Sequence, residues 1–421
     1  MLSAIFSIKS KRLLIRKKGN FRYSKGKCRT MTLLLLAIIY IAFIGLGIPD
    51  SLIGAAWPAI YPELHVPVDA VSGITLLVSG CTVLSSIFSS VLLNRFGTAK
   101  VTVVSTAMTA MALLAFSFAP HYLWMLPIAA VLGLGAGAID AGLNNYIALH
   151  YSVGQMNFLH CFYGVGVSLS PYFMSVALHE TGWRGGYRYA FLMQAAITLL
   201  LLCSAPLWKK ESAEGESEAQ RSLSLSEMCR QPTIRMVWVL MLATNAIEYV
   251  CGVWGSTYLV YAHGFSVEKG ALSLTFYYAG LALGRLISGL LSKKIHTWKR
   301  IWVGCGIVGV AVVLLLFSLN GTASVIALYL IGFGNGSIYP NLIHLTPHNF
   351  GRDVSQSVMG SQIAFAYLGV LAAPPLTGMV TRLFGFQAYP ILLAVLYAVL
   401  LIFLLLFVRK LKSNSRYYFN V

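Results

Sequence analysis

The chain has 421 residues, 57% of them hydrophobic and only 10% charged, and its mean hydropathy is +0.74. Charge this sparse cannot cover a water-soluble domain, so lipid must be the solvent for most of the surface. The net charge of +18 would suit nucleic acid, but the placement of the basic residues excludes that partner.

Residues 1–30 hold ten basic and no acidic residues. They are expected to form a basic cytoplasmic tail, or to be an over-extended start with Met31 as the initiator. A cleaved signal peptide is disfavoured, because the apolar run that follows is long and lacks a small-x-small exit. Apolar stretches then recur, each long enough to cross a hydrocarbon core of ~30 Å. They are predicted near 33–57, 70–92, 101–119, 123–148, 157–178 and 187–207. After a polar break they resume near 234–260, 268–291, 301–318, 323–346, 355–380 and 387–408. The break, 208–233, contains KKESAEGESEAQRSLSLSE and five of the 13 acidic residues, which reads as a partly helical cytoplasmic linker. The expected organisation is therefore a tail (1–30), a six-helix bundle (31–207), the linker (208–233), a second six-helix bundle (234–408) and a C-terminal tail (409–421). The expected fold is an all-α membrane protein of twelve transmembrane helices in two pseudo-symmetric bundles.

With residue 1 in the cytoplasm, 26 of the 31 Lys and Arg residues fall on the cytoplasmic side and 4 opposite, while Arg285 lies inside a span. This positive-inside bias predicts a cell (inner, cytoplasmic) membrane protein with both termini in the cytoplasm, and it reports lipid rather than nucleic acid as the partner. The seven cysteines are scattered, without C-x-x-C or metal spacing, so neither a disulfide framework nor a zinc site is expected. No cofactor is expected, and the protein is expected to act as a monomer.

The two bundles align with each other. Gly133-x-Gly135-x-Gly137 in the fourth span matches Gly332-x-Gly334-x-Gly336 in the tenth, at an offset of 199. In the fifth and eleventh spans Gly166 and Pro171 match Gly369 and Pro374, and in the first and seventh Asp50 and Gly54 fall opposite Glu248 and Gly252. Such consistency indicates an internal duplication, and in repeat-built transporters the solute site lies between the repeats. The glycines themselves are expected to be helix-packing surfaces.

Three acids are predicted within spans: Asp50, Asp140 and Glu248. An ionised carboxylate there costs at least ~2.5–3.5 kcal/mol, so such groups usually face a cavity and carry function. A carboxyl that takes a proton from one side and releases it to the other is the simplest coupling device, and Asp50 and Asp140 are the candidates. Pro49, after Gly45 and Gly47, should distort the first helix. Arg285 is read as a snorkelling or helix-pinning group in preference to a solute-binding one, and His160, in an apolar setting, as a proton relay or solute ligand. Polar and aromatic side chains gather in the same spans. Trp57, Asn144, Asn145, Tyr163, Asn245, Tyr339, Asn341 and Gln362, with Glu248 and His160, are the candidate solute-binding residues. Amides bond hydroxyls and flat rings stack on sugar C–H faces, and no basic cluster is evident in the spans, which favours a neutral or cationic solute.

These residues resemble the major facilitator superfamily over the whole chain, and within it the fucose-permease-like sugar:proton symporters. Ser90-x-x-x-Asn94-Arg95-x-Gly97-x-x-Lys100 is similar to the superfamily's G-x-x-x-D-R-x-G-R-[RK]-[RK] loop, with Ser for Gly, Asn for Asp, and Thr98 and Ala99 for basic residues. Asp50 in PDSLIGAAWP resembles the first-span acid of the fucose permeases. Asp140 in GLGAGAIDAGLNNY stands where they have a glutamate. MNFLHCFYGVGVSLSP, with Asn157, His160, Gly164, Gly166 and Pro171, is similar to their fifth span. The resemblance implies proton-driven uptake of a sugar, with Asp140 as the coupling carboxyl and Asp50 assisting. The fifth span lacks the G-x-x-x-G-P-x-x-G-G pattern of drug:proton antiporters, so efflux of amphipathic compounds is the alternative. A membrane enzyme built on Asp50, Asp140 and His160 is disfavoured, since no H-E-x-x-H, serine elbow or metal set accompanies them.

Overall fold

The structure, a computed structural model, describes the backbone of residues 2–151, 153–208, 223–318, 320–351 and 354–413. The side chains of residues 1–32 and of several helix-end positions, among them Ser90, Asn94, Asn145 and Asn157, lie outside the described residues.

Among those residues, twelve helices are long and apolar enough to cross a membrane. They run Leu33–Glu63, Val68–Ser89, Thr98–Ser117, Tyr122–Asn144, Phe158–Glu180 and Gly182–Leu207, then Pro232–His263, Val267–Lys293, Thr297–Leu316, Gly321–His344, Ser357–Phe384 and Phe386–Ser413. An even number of crossings returns the chain to the side on which it began. The linker lies largely outside the described residues. Its end, Leu225–Arg230, is a short helix closed by a capping box between Ser224 and Glu227.

Two prolines act differently from each other. The first span stays helical through Pro49, as part of a helix assigned from Leu2 to Glu63. In lipid, packing against neighbouring spans lets a helix absorb a missing N–H. The tenth span is instead split into Gly321–Gly336 and Ile338–His344. Pro340 cannot donate to the carbonyl of Gly336, and its ring crowds that turn.

Each bundle repeats one packing scheme. The first span packs on the fifth, the second and third on the fourth, and the third on the sixth; likewise the seventh on the eleventh, the eighth and ninth on the tenth, and the ninth on the twelfth. The glycines show how closely the scheme repeats. A methyl group at Gly133 or Gly137 would overlap the carbonyl of Val78 or Thr82 in the second span. One at Gly332 or Gly336 would overlap the carbonyl of Tyr277 or Leu281 in the eighth. The carbonyls, like the glycines, are 199 residues apart. Without hydrophobic burial to drive association in lipid, such backbone contact is a main source of packing energy.

The bundles meet where the fifth span packs on the eighth, the second on the eleventh and the first on the seventh. At the end away from the termini, Arg382 bonds Asp69 at 3.1 Å, Ser175 donates to the Glu268 carbonyl at 2.9 Å, and Tyr61 and Tyr261 lie 5.6 Å apart between ring centroids. That end is closed. The matched glycines of the first and seventh spans also meet there, where a Cβ at Gly54 would overlap the Gly252 carbonyl. Gly54→Val should therefore hold the halves apart at this end without disturbing either bundle's own core. Solute flux is expected to fall at least about tenfold while the melting temperature stays near that of the parent. A melting temperature that fell as far as the flux would place the damage in folding instead.

Candidate functional site

Between the bundles lies a cavity of about 190 Å³. Its titratable lining is Asp50, Asp140, His160 and Arg285, with four tyrosines, Tyr163, Tyr187, Tyr249 and Tyr367. Each acid is placed by packing that the sequence encodes locally.

Gly47 and Gly166 let the first and fifth spans approach until each faces a carbonyl of the other, Tyr163 and Ile44 respectively. That approach brings Tyr163 within reach of Asp50, and its hydroxyl donates to Oδ2 at 2.6 Å. Gly133 and Gly137 turn one face of the fourth span to the second, leaving Asp140 on the cavity face. Asn144, one turn later on the same face, donates to Asp140 Oδ1 at 2.8 Å and to its carbonyl at 2.9 Å. The donors to both carboxyls are neutral. The described ion pairs are Arg184–Glu63, Arg285–Glu248 and Arg382–Asp69, and neither cavity aspartate takes part in one.

Glu248 is held otherwise. Nη2 of Arg285 donates to both of its carboxylate oxygens at 2.9 Å, and the pair sits at the cavity edge with only 17% and 12% side-chain exposure for Arg285 and Glu248. Arg285 lines the cavity and Glu248 stands behind it. His160 lies edge-on to Phe43 at 5.9 Å and within electrostatic reach of Arg285.

The cavity gathers Asp50, Asp140, His160 and Tyr163 from the expected set, with Asn144 held on Asp140 and Glu248 on Arg285. Tyr339 lies within electrostatic reach of Arg285 and Asp140 but outside the lining. Other expected residues sit elsewhere. Trp57 is fully buried near the closed end, its indole donating to the Val68 carbonyl at 2.7 Å. Asn245 bonds the Met241 carbonyl of its own helix at 2.9 Å. Asn341 ties the tenth span to Ser288 of the eighth at 2.9 Å, and Gln362 accepts from Thr346 at 2.8 Å inside the second bundle. Asn145 lies outside the described side chains.

The lining adds Arg285, Tyr187, Tyr249 and Tyr367, and the hydroxyl residues Thr75, Ser79 and Thr82 of the second span. The last three recur at helical spacing on one face, a signal present in the sequence. Among the described residues no group of three or more His, Cys, Asp or Glu side chains could hold a metal ion.

The family profile of the Major Facilitator Superfamily matches residues 33–368. The chain belongs to this superfamily. It is similar to an uncharacterized MFS-type transporter, YhjX, of Escherichia coli K12, 27% identical over 68% of this chain and 73% of the relative. It is also similar to the 3-(3-hydroxy-phenyl)propionate transporter of the same strain, 23% identical over 71% and 74%. A putative glucose/galactose transporter of Helicobacter pylori is 26% identical over 27% of each chain. Among solved structures, a variant of the nucleoside transporter NupG superposes with a TM-score of 0.72 over 89% of this chain and 99% of its own, at 10% identity. The major facilitator fold of two six-helix bundles is thus the fold of this chain, and the protein is a multi-pass transporter, not an enzyme.

Proposed function

We propose that this chain is a proton-coupled secondary transporter that takes up a small polar solute by alternating access, with Asp50 and Asp140 as its proton carriers. One observation carries the reading: two carboxyl groups face the inter-bundle cavity, each held by a neutral donor and neither by a cation. Holding an ionised acid in a span costs at least ~2.5–3.5 kcal/mol, and protonation removes that cost. Glu248 is different, because Arg285 already neutralises it.

The Lys/Arg bias supports cytoplasmic termini in a cell membrane, which makes the closed end the outer one and this conformation inward-facing. A sugar is the solute implied by the resemblance in the first, fourth and fifth spans. The ring faces of Tyr163, Tyr249 and Tyr367 suit sugar C–H groups, with His160 as a further contact. The name of the Helicobacter pylori relative points the same way. Export of amphipathic compounds fits less well, because the cavity of about 190 Å³ is smaller than the ~300–1,000 Å³ usual for drug-sized ligands.

The test is solute-induced pH change in proteoliposomes, with hexoses, short carboxylates and cationic amphipaths as probes. Proton entry together with a hexose or a carboxylate supports uptake by symport. Proton movement opposite to an amphipath overturns the direction, and solute movement with no pH change overturns the coupling.

A further inference from the structure

The cation on the cavity wall limits what the cavity can hold. Arg285 is the guanidinium in the lining, and its connection to Glu248 is one-sided. Both hydrogen bonds use Nη2, while Nε is buried with no acceptor at all. An unmet guanidinium N–H away from water costs about as much as a lost hydrogen bond to a charged group. A buried ion pair is often replaceable by apolar residues at no loss of stability. The arrangement instead resembles a preorganised binding group. Gly284 presses the eighth span onto the Phe333 carbonyl of the tenth, and Glu248 fixes the head of Arg285 at the cavity wall.

We infer that Arg285 is an anion-binding group and that the solute is a small monocarboxylate with an apolar body. Guanidinium is the side chain best matched to a carboxylate, which it meets through paired N–H donors. Phe43, Leu46, Ile53, Val78, Leu132 and Val253 give the same space an apolar portion, beside the hydroxyls of Thr75, Ser79 and Thr82. Of the amides that would recognise a polyol, Asn245 and Asn341 donate to groups of their own helix or bundle, and Gln362 accepts from Thr346 inside the second bundle, none of them in the cavity lining. Charge bookkeeping agrees with the geometry. A carboxylate entering beside Asp50 and Asp140 meets like charges, and their repulsion falls when those groups carry protons. Each proton carried on Asp50 or Asp140 offsets one negative charge, so the carboxylate does not cross as an uncompensated anion. This inference rests on the proton-coupled transport reading above and puts a monocarboxylate in place of the sugar suggested there.

The test uses purified full-length protein with lactate, pyruvate, benzoate and 3-phenylpropionate as probes, and fucose, glucose and galactose as controls. Binding is read from ligand-induced shifts in melting temperature, and transport from proton entry into proteoliposomes. At least one carboxylate is expected to bind and to bring protons with it. Arg285→Lys should bind more weakly, and the pair Arg285→Gln with Glu248→Gln should lose about tenfold to a hundredfold in affinity. The pair removes both charges at once, so its melting temperature without ligand checks that it folds. A hexose that binds and drives proton entry while all four carboxylates are silent overturns the inference and leaves proton coupling standing. Carboxylate binding unchanged in the folded pair overturns it as well. Carboxylate exchange without proton entry, lost in the pair, upholds Arg285 and overturns the coupling reading instead.

Discussion

Asp140→Asn is expected to abolish accumulation of solute against a gradient while leaving exchange of labelled for unlabelled solute largely intact. The substitution keeps the shape of the side chain and its contact with Asn144, which lies 2.8 Å away, but removes the only proton the group could carry. A transporter locked in the neutral state can still bind and reorient, so exchange persists. Net uptake needs the carboxyl to lose its proton inside, and an amide cannot do that. The ratio of concentrative uptake to exchange separates coupling from simple damage, because a misfolded protein loses both. Asp50→Asn should behave similarly, since Tyr163 remains to bond the amide oxygen at that position. An Asp140→Asn protein that still concentrated solute would remove the coupling role from this residue.

The second large effect is on stability. Glu248→Ala leaves Arg285 without its counter-ion in a site only 17% exposed. Removing one partner of a buried pair typically costs about 3–5 kcal/mol, most of it the cost of the stranded charge. The variant is expected to melt well below the parent and to be recovered poorly from membranes. Adding Arg285→Leu to it should restore most of the loss, because no unpaired charge then remains. A double-mutant cycle on melting in detergent reads the coupling directly. Additive losses would mean that the two side chains do not depend on each other.

Much of this arrangement is legible in the sequence, for physical reasons. Hydropathy finds the spans because lipid tolerates few charges along ~20 residues. The predicted 70–92 and 301–318 lie within a few residues of Val68–Ser89 and Thr297–Leu316. The matched glycines are legible because only they permit carbonyl contact between helices, and the contacts of Gly133 and Gly332 with Val78 and Tyr277 repeat at the same offset. Asp50, Asp140, His160 and Tyr163 could be grouped because ionisable or polar groups in lipid converge on shared cavities.

What escaped is the direction in which a side chain points. Asn341 and Gln362 carry the same amide chemistry that would suit a solute, yet each spends it on a neighbouring helix. Spacing alone cannot say which face of a span meets the cavity when every face is apolar. Arg285 was visible as an intramembrane charge, but its use depends on Glu248, 37 residues earlier on another helix. Pro340 and Pro49 have the same ring, yet only the tenth span is split.

The proposed tie between solute movement and protons runs through the cavity carboxyls. Uptake into proteoliposomes under an imposed pH gradient, acidic outside, tests it most directly, with a protonophore added during accumulation. Proton coupling through Asp50 and Asp140 predicts solute accumulation that follows the size of the gradient and drains away when the protonophore collapses it. Accumulation that ignores the protonophore, or that follows a sodium gradient at uniform pH, would contradict it.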